Sequence, residues 1–151
     1  MLLFRRLRTS SLILSLLLAG CQSKLTPTTF TPAPPPPATL HTTRWILYRL
    51  EAQPVTTTPE REMYVQLSAT ETQAEGQGGC NRFRGSFQLP MEGKLQFGPL
   101  LSTKMACPEL ALENRFLQVL GSTRSYRISG DTLRLYSEAT VAPLAVFLAR
   151  K

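Results

Sequence analysis

GGCNRFRGSFQL, residues 78–89, is the stretch from which the fold can be read. Phe83, Gly85, Phe87 and Leu89 alternate with Arg82, Arg84, Ser86 and Gln88, the period of two expected of a strand with one buried face. Apolar side chains point in and basic ones point out. Toward the C-terminus, Pro90-Met-Glu-Gly93 reads as a turn, after which Leu95 and Phe97 resume the inward row, so the two runs form a hairpin. Toward the N-terminus, Met63, Val65 and Leu67 alternate with Tyr64 and Gln66, and the aromatic and aliphatic run from Arg44 to Leu50 reads as a first strand, followed by a Pro/Thr loop over 53–59. Tyr126 and Ile128 lead through Ser129-Gly130-Asp131 into Leu133 and Leu135, a second hairpin, and Leu144 to Leu148 is a continuous apolar strand.

One segment breaks this pattern. Leu112, Phe116, Val119 and Leu120 fall at i, i+4, i+7 and i+8, one stripe of a helix over about 108–120. Pro108 suits the first helical position, Glu109 the positive N-terminal end and Gly121 the position that closes it. The expected fold is mostly β (α+β). It is a curved antiparallel sheet or small barrel of about six to eight strands, with the helix covering one end or face. Trp45, Phe83, Phe87, Phe97, Phe116 and Phe147 are available to fill it.

The N-terminus carries an address. Arg5, Arg6 and Arg8 precede the apolar run Ser11 to Leu18, which ends in Ala19-Gly20-Cys21: a basic region, a short hydrophobic region and a small-residue cleavage site. The run is about half the ~20 residues a transmembrane helix needs. Leu18-Ala19-Gly20-Cys21 resembles the lipobox of bacterial lipoproteins, which implies a signal peptide over 1–20 and acylation of Cys21. Acyl chains contributing ~0.8 kcal/mol per buried methylene would then anchor the mature protein. Gln22, where Asp would signal inner-membrane retention, implies a cell-envelope protein anchored by lipid to the outer membrane and facing the periplasm. Residues 21–41, with an unbroken Pro34–Pro37 run, are a Pro/Thr-rich disordered spacer that could hold the remainder, one domain over 42–151, up to roughly 60 Å from the membrane.

Cys80 and Cys107 are the two cysteines left once Cys21 is acylated. An oxidising compartment favours their pairing as a disulfide, and closing a loop of about 27 residues would stabilise the fold by roughly 3.5 kcal/mol. Two free buried thiols, or redox or metal chemistry, are the competing readings. No Cys-x-x-Cys is present, and a Cys-only metal site needs more than two thiols. No metal or other cofactor is therefore expected. Asn81, directly after Gly79-Cys80, is read as either adopting a left-handed turn or tying loop backbone together with its amide.

Gly79-Cys80-Asn81-Arg82-Phe83 with Gly85-Ser86-Phe87, Ser102-Thr103-Lys104-Met105-Ala106-Cys107-Pro108, the helix with Glu113 and Phe116, and Tyr126 with Gly130 to Leu135 together resemble the META domain, the family of the heat-shock lipoprotein HslJ. The resemblance covers nearly all of 42–151. It implies a compact, mostly β fold with one helix and a setting of envelope stress and antibiotic tolerance, but no settled molecular activity.

Composition narrows function further. Three of the 17 Lys and Arg residues leave with the leader, so the mature chain carries 14 against 10 acids, a net charge of +4. That excess is too modest for a nucleic-acid binder. No catalytic residues are assigned. The one histidine, His41, falls in the spacer, no Gly-x-Ser-x-Gly elbow exists, and Glu60, Glu62, Glu71 and Glu75 fall on strand edges and loops. The expectation is a non-enzymatic, monomeric binding or stress-tolerance module that touches the membrane through Cys21 and docks an envelope protein or polymer through Arg82, Arg84, Arg124, Arg127 and Arg134. The alternative is a small barrel holding a lipid or other apolar ligand.

Overall fold

The computed structural model describes residues 36–56 and 58–150. Cys21, the leader and most of the spacer lie outside the described residues.

The alternating runs become β1 (Trp45–Leu50), β3 (Tyr64–Leu67), β5 (Arg82–Gln88), β6 (Gln96–Ser102), β7 (Ser125–Ser129), β8 (Thr132–Tyr136) and β9 (Ala145–Ala149). Two further strands are the two-residue β2 (Gln53–Pro54), paired to β1, and β4 (Gln73–Gln77). Every pairing is antiparallel, in the order β6-β5-β4-β3-β1-β9-β8-β7. The sheet curls into a half-barrel whose two ends approach each other where Lys94 bridges Ser125. Leu95 N–H donates to Arg124 O and Tyr126 N–H to Gly93 O across this junction. The mostly β class, the curl and, among the described residues, the one α-helix are as expected.

β4 has a sequence, QAEGQ, with little apolar signal. Its inward residues are Ala74 and Gly76, and Gly76 is small because a Cβ there would lie 2.1 Å from Tyr64 O and 2.4 Å from the Phe83 ring. The expected inward row of β5 ends at Phe87, because Leu89 lies beyond the strand and is exposed.

The helix α1 spans Leu110–Ser122, two residues later at each end than the periodicity placed it. Gly121 does not close it. Thr123 N–H donates to Leu120 O, the Thr123 and Ser122 hydroxyls to Val119 O and Gln118 O, and the Arg124 guanidinium to Gly121 O. Hydroxyls and a cation thus satisfy the carbonyls that a left-handed glycine would otherwise cap. Phe116, Val119 and Leu120 are buried, and Phe116 meets Phe83 and Phe147 at ring-centroid distances of 5.8 and 6.0 Å.

The folded body begins earlier than residue 42. Ala38 packs against the core, Leu40 belongs to it, and the Trp45 indole N–H donates to Leu40 O at 3.2 Å. His41, assigned to the spacer on composition, bridges to Leu67, bonds Ser68 O through Nδ1 at 2.7 Å and lies beside the Phe87 ring. Proline-rich composition blurred this boundary, because the apolar anchor is the single residue Leu40.

Candidate functional site

The residues that mark the sequence most strongly meet at one place. Cys80 and Cys107 form a disulfide, with Cα atoms 6.5 Å apart, joining the loop before β5 to the loop before α1. Gly79 makes the entry turn at φ +115°, a conformation glycine adopts at no steric cost. Asn81 follows in ordinary backbone geometry and is fully buried, so of the two roles open to it the amide tie is the one observed.

Its carbonyl oxygen accepts from Met105 N–H at 2.7 Å and the Thr103 hydroxyl at 2.8 Å, while Nδ2 donates to Met105 O at 3.1 Å and Glu113 Oε2 at 3.2 Å. Glu113, 2 % exposed and one turn into α1, also takes the Asn81 backbone N–H on Oε2 and the Ser102 hydroxyl on Oε1. A buried carboxylate is tolerable when its lone pairs are met by donors, and here three donors meet it. Gly78 lets the helix approach, since a Cβ there would lie 2.5 Å from Glu113 Cγ. Among the described residues no buried side-chain nitrogen or oxygen lacks a partner. Cys80, Cys107 and Glu109 cluster closely, but both sulfurs are in the disulfide and Glu109 pairs with Arg61, so the cluster offers a metal no thiolates.

Of the candidate acids, Glu71 and Glu75 line one cleft of about 420 Å³. Glu62 pairs with Arg150 and Glu75 with Arg84. Glu60 is fully exposed, and hydrogen bonds from its own backbone N–H and the Thr58 side chain hold its carboxyl below the usual range, the opposite of what a general acid at neutral pH requires. The interior is filled by Trp45, Phe116, Phe147, Leu133 and Leu135, all without exposure. Three surface clefts of about 420–560 Å³ are lined by mixtures of polar and apolar groups, and two more, of about 540 and 460 Å³, have mainly apolar linings, the second formed by Ala52, Ala142, Pro143 and Leu144 beside Arg49.

The five arginines expected to form one surface fall in three settings. Arg82 and Arg84 stand on β5 and line a cleft of about 440 Å³ with Tyr64, Leu101 and Thr103. Arg124 is engaged with the carbonyls that end α1. Arg127 and Arg134 face each other across the β7–β8 ladder, and four strands lie between β8 and β5 in the sheet order. One residue was missed. Arg49 is opposite Val146, which is opposite Arg134, so Arg127, Arg134 and Arg49 share a row on the outer face.

The sequence pattern of the META domain matches residues 38–151. A protein from Burkholderia xenovorans, solved by NMR, is 26% identical, with a TM-score of 0.58 over 83% of this chain and 97% of that one. A second NMR structure is 25% identical, with a TM-score of 0.54 over 70% of this chain and 87% of that one. No curated protein matches the chain.

Proposed function

The chain belongs to the META domain family, and on that premise we propose that it is a lipid-anchored bacterial envelope protein whose folded body acts by binding rather than catalysis, in support of envelope stress tolerance. The leader ending in Leu18-Ala19-Gly20-Cys21 supports the anchor, and Gln22 supports delivery to the outer membrane, with the domain facing the periplasm. The Cys80–Cys107 disulfide fits an oxidising compartment.

The observation that carries the non-catalytic reading is the closure of the Asn81–Glu113 cluster. Its hydrogen-bonding groups are met from within the fold, so the family-marking residues hold a scaffold and leave the chemistry to the surface. A holder of apolar ligands would need interior volume, and the aromatic side chains occupy it. The test of the anchor is the mass of the N-terminal peptide from membranes expressing the full chain, beside a Cys21→Ser variant. A diacylglyceryl Cys21 at the N-terminus of the native chain, and an unprocessed leader without acylation in the variant, are expected. An unmodified Cys21 on a membrane-free native chain would overturn it. The binding half predicts that a strain lacking the protein and sensitised to envelope stress is rescued by Glu60→Gln or Glu62→Gln but not by a chain with its surface arginines reversed. Loss of rescue with either Gln variant would instead indicate acid–base chemistry.

A further inference from the structure

We infer that the outer face of β7, β8, β9 and β1 lies against the phosphate headgroups of the membrane that carries the anchor. The row Arg127, Arg134, Val146, Arg49 crosses four adjacent strands, which at ~4.8 Å per strand spans roughly 14 Å. Val146 is only 4 % exposed although it faces outward between two arginines, as expected when long aliphatic stems lie over it and leave their guanidinium groups in solvent.

Like charges directly opposite on a ladder oppose pairing, and Arg127 stands directly opposite Arg134. Elsewhere most arginines have partners, although among the described residues Arg82 on β5 forms no ion pair and Arg124 bonds only backbone carbonyls. Arg61, Arg84, Arg115 and Arg150 have carboxylate partners, and Arg44 stacks on Tyr64. Among the described residues Arg49, Arg127 and Arg134 form no ion pair. Lys94 extends the charge, because it lines with Arg127 and Tyr136 a cleft of about 560 Å³ that contains no carboxylate. An unneutralised row of this kind is complementary to a surface of fixed anions, and guanidinium groups take phosphate in a bidentate fork.

A membrane fits better than a compact anion. The basic groups are spread along a face, and a tyrosine stands among them, the side chain favoured at a membrane–water interface. The chain also enters the fold at the right place. Pro36, the first described residue, lines a cleft with Asp131, at the turn between β7 and β8. The 14 residues between Cys21 and Pro36 would reach about 45 Å at the ~3.1 Å per residue of polyproline II. Each basic side chain near an anionic surface contributes about a fivefold change in partitioning, so four give several hundredfold. That is weak for a free protein and adequate for one held at millimolar effective concentration by its tether. The inference rests on the anchoring proposed above.

The test uses the chain from residue 21 onward carrying Cys21→Ser, so that neither the leader's arginines and apolar run nor an acyl chain contributes, and failure of the anchor is read separately, from the native N-terminal peptide. Co-sedimentation is measured at about 0.01 M ionic strength, where screening extends ~30 Å, with phosphatidylcholine vesicles and with vesicles containing phosphatidylglycerol. Binding to the phosphatidylglycerol vesicles alone is expected, with a loss of at least about 25-fold in Arg127→Glu/Arg134→Glu and none beyond twofold in Arg49→Lys. The single Arg127→Glu variant creates an opposite-charge pair with Arg134, keeps the sheet intact and should still lose at least fivefold. Absence of sedimentation, equal binding to both vesicles, retention by the double variant, or preference for polyglutamate over anionic vesicles would each overturn the inference.

Discussion

Replacing Asn81 by Asp changes one nitrogen to oxygen with almost no change of volume, and it should strongly destabilise the domain. The Nδ2 group donates to Met105 O at 3.1 Å and Glu113 Oε2 at 3.2 Å; an oxygen there faces two acceptors. Two hydrogen bonds are lost, one worth about 1 kcal/mol and the other, to a carboxylate, about 1.5–3 kcal/mol. Two carboxylates are also confined in a site closed to water, and removing the partner of a buried charged group costs about 3–5 kcal/mol. The larger figure governs, because the terms overlap. A loss of about 3–5 kcal/mol is a large part of the ~5–15 kcal/mol available to a domain and lowers the melting temperature by on the order of 15–25 °C. The chain has one tryptophan, Trp45, fully buried, so urea unfolding followed by its fluorescence reports the transition directly. The deficit should shrink in acid, where the introduced carboxyl carries a proton and can donate one bond. A midpoint within about 1 kcal/mol of the native chain at neutral pH would refute the reasoning, since it would mean that the amide is not holding the two loops together.

Three further outcomes follow from the same cluster. Glu113→Gln keeps an oxygen for the two Asn81 donors and an amide for the Ser102 hydroxyl, so it should cost under about 1.5 kcal/mol, whereas Glu113→Ala should cost about 2–4 kcal/mol by leaving those donors buried and unmet; thermal melts of the two variants separate these cases. Gly78→Ala places a methyl 2.5 Å from Glu113 Cγ and should lose about 1–3 kcal/mol, read from the urea midpoint. Cys107→Ser should destabilise by about 2–4 kcal/mol, and a reductant should shift the native midpoint but leave that of the variant unchanged.

Much of the sheet was legible because the inward rows of β7 and β8 carry a large apolar residue at every second position, and β5 and β6 present Phe83, Phe87 and Phe97 to the core. β4 was not, since the Phe83 ring and the Tyr64 carbonyl leave no room for a side chain at Gly76 and the other inward residue is Ala74, and small residues carry little hydrophobic signal. Arg49 was hidden for a different reason. Strict alternation from Leu47 would send it into the core, but the register between β1 and β9 shifts between Leu47 and Arg49, and that bulge turns Arg49 outward and Leu50 inward. The pairing of Cys80 with Cys107 was readable from the compartment implied by the leader. The role of Glu113 was not, because a glutamate in the first turns of a helix ordinarily serves the dipole in solvent, and its partners lie 11 and 32 residues away.

The junction at Lys94 and Ser125 bears on what happens when many copies share one surface. An open sheet offers a rim of unanswered amides and carbonyls to its neighbours, and tethering to a plane raises the frequency of encounters along that rim. Here Leu95, Tyr126 and their carbonyl acceptors answer one another across the gap between the first and last strands, and Pro99 removes a donor from the middle of β6. On the proposed anchoring, copies packed side by side would find part of this rim already answered, and extension of one ladder by a neighbour would be opposed there.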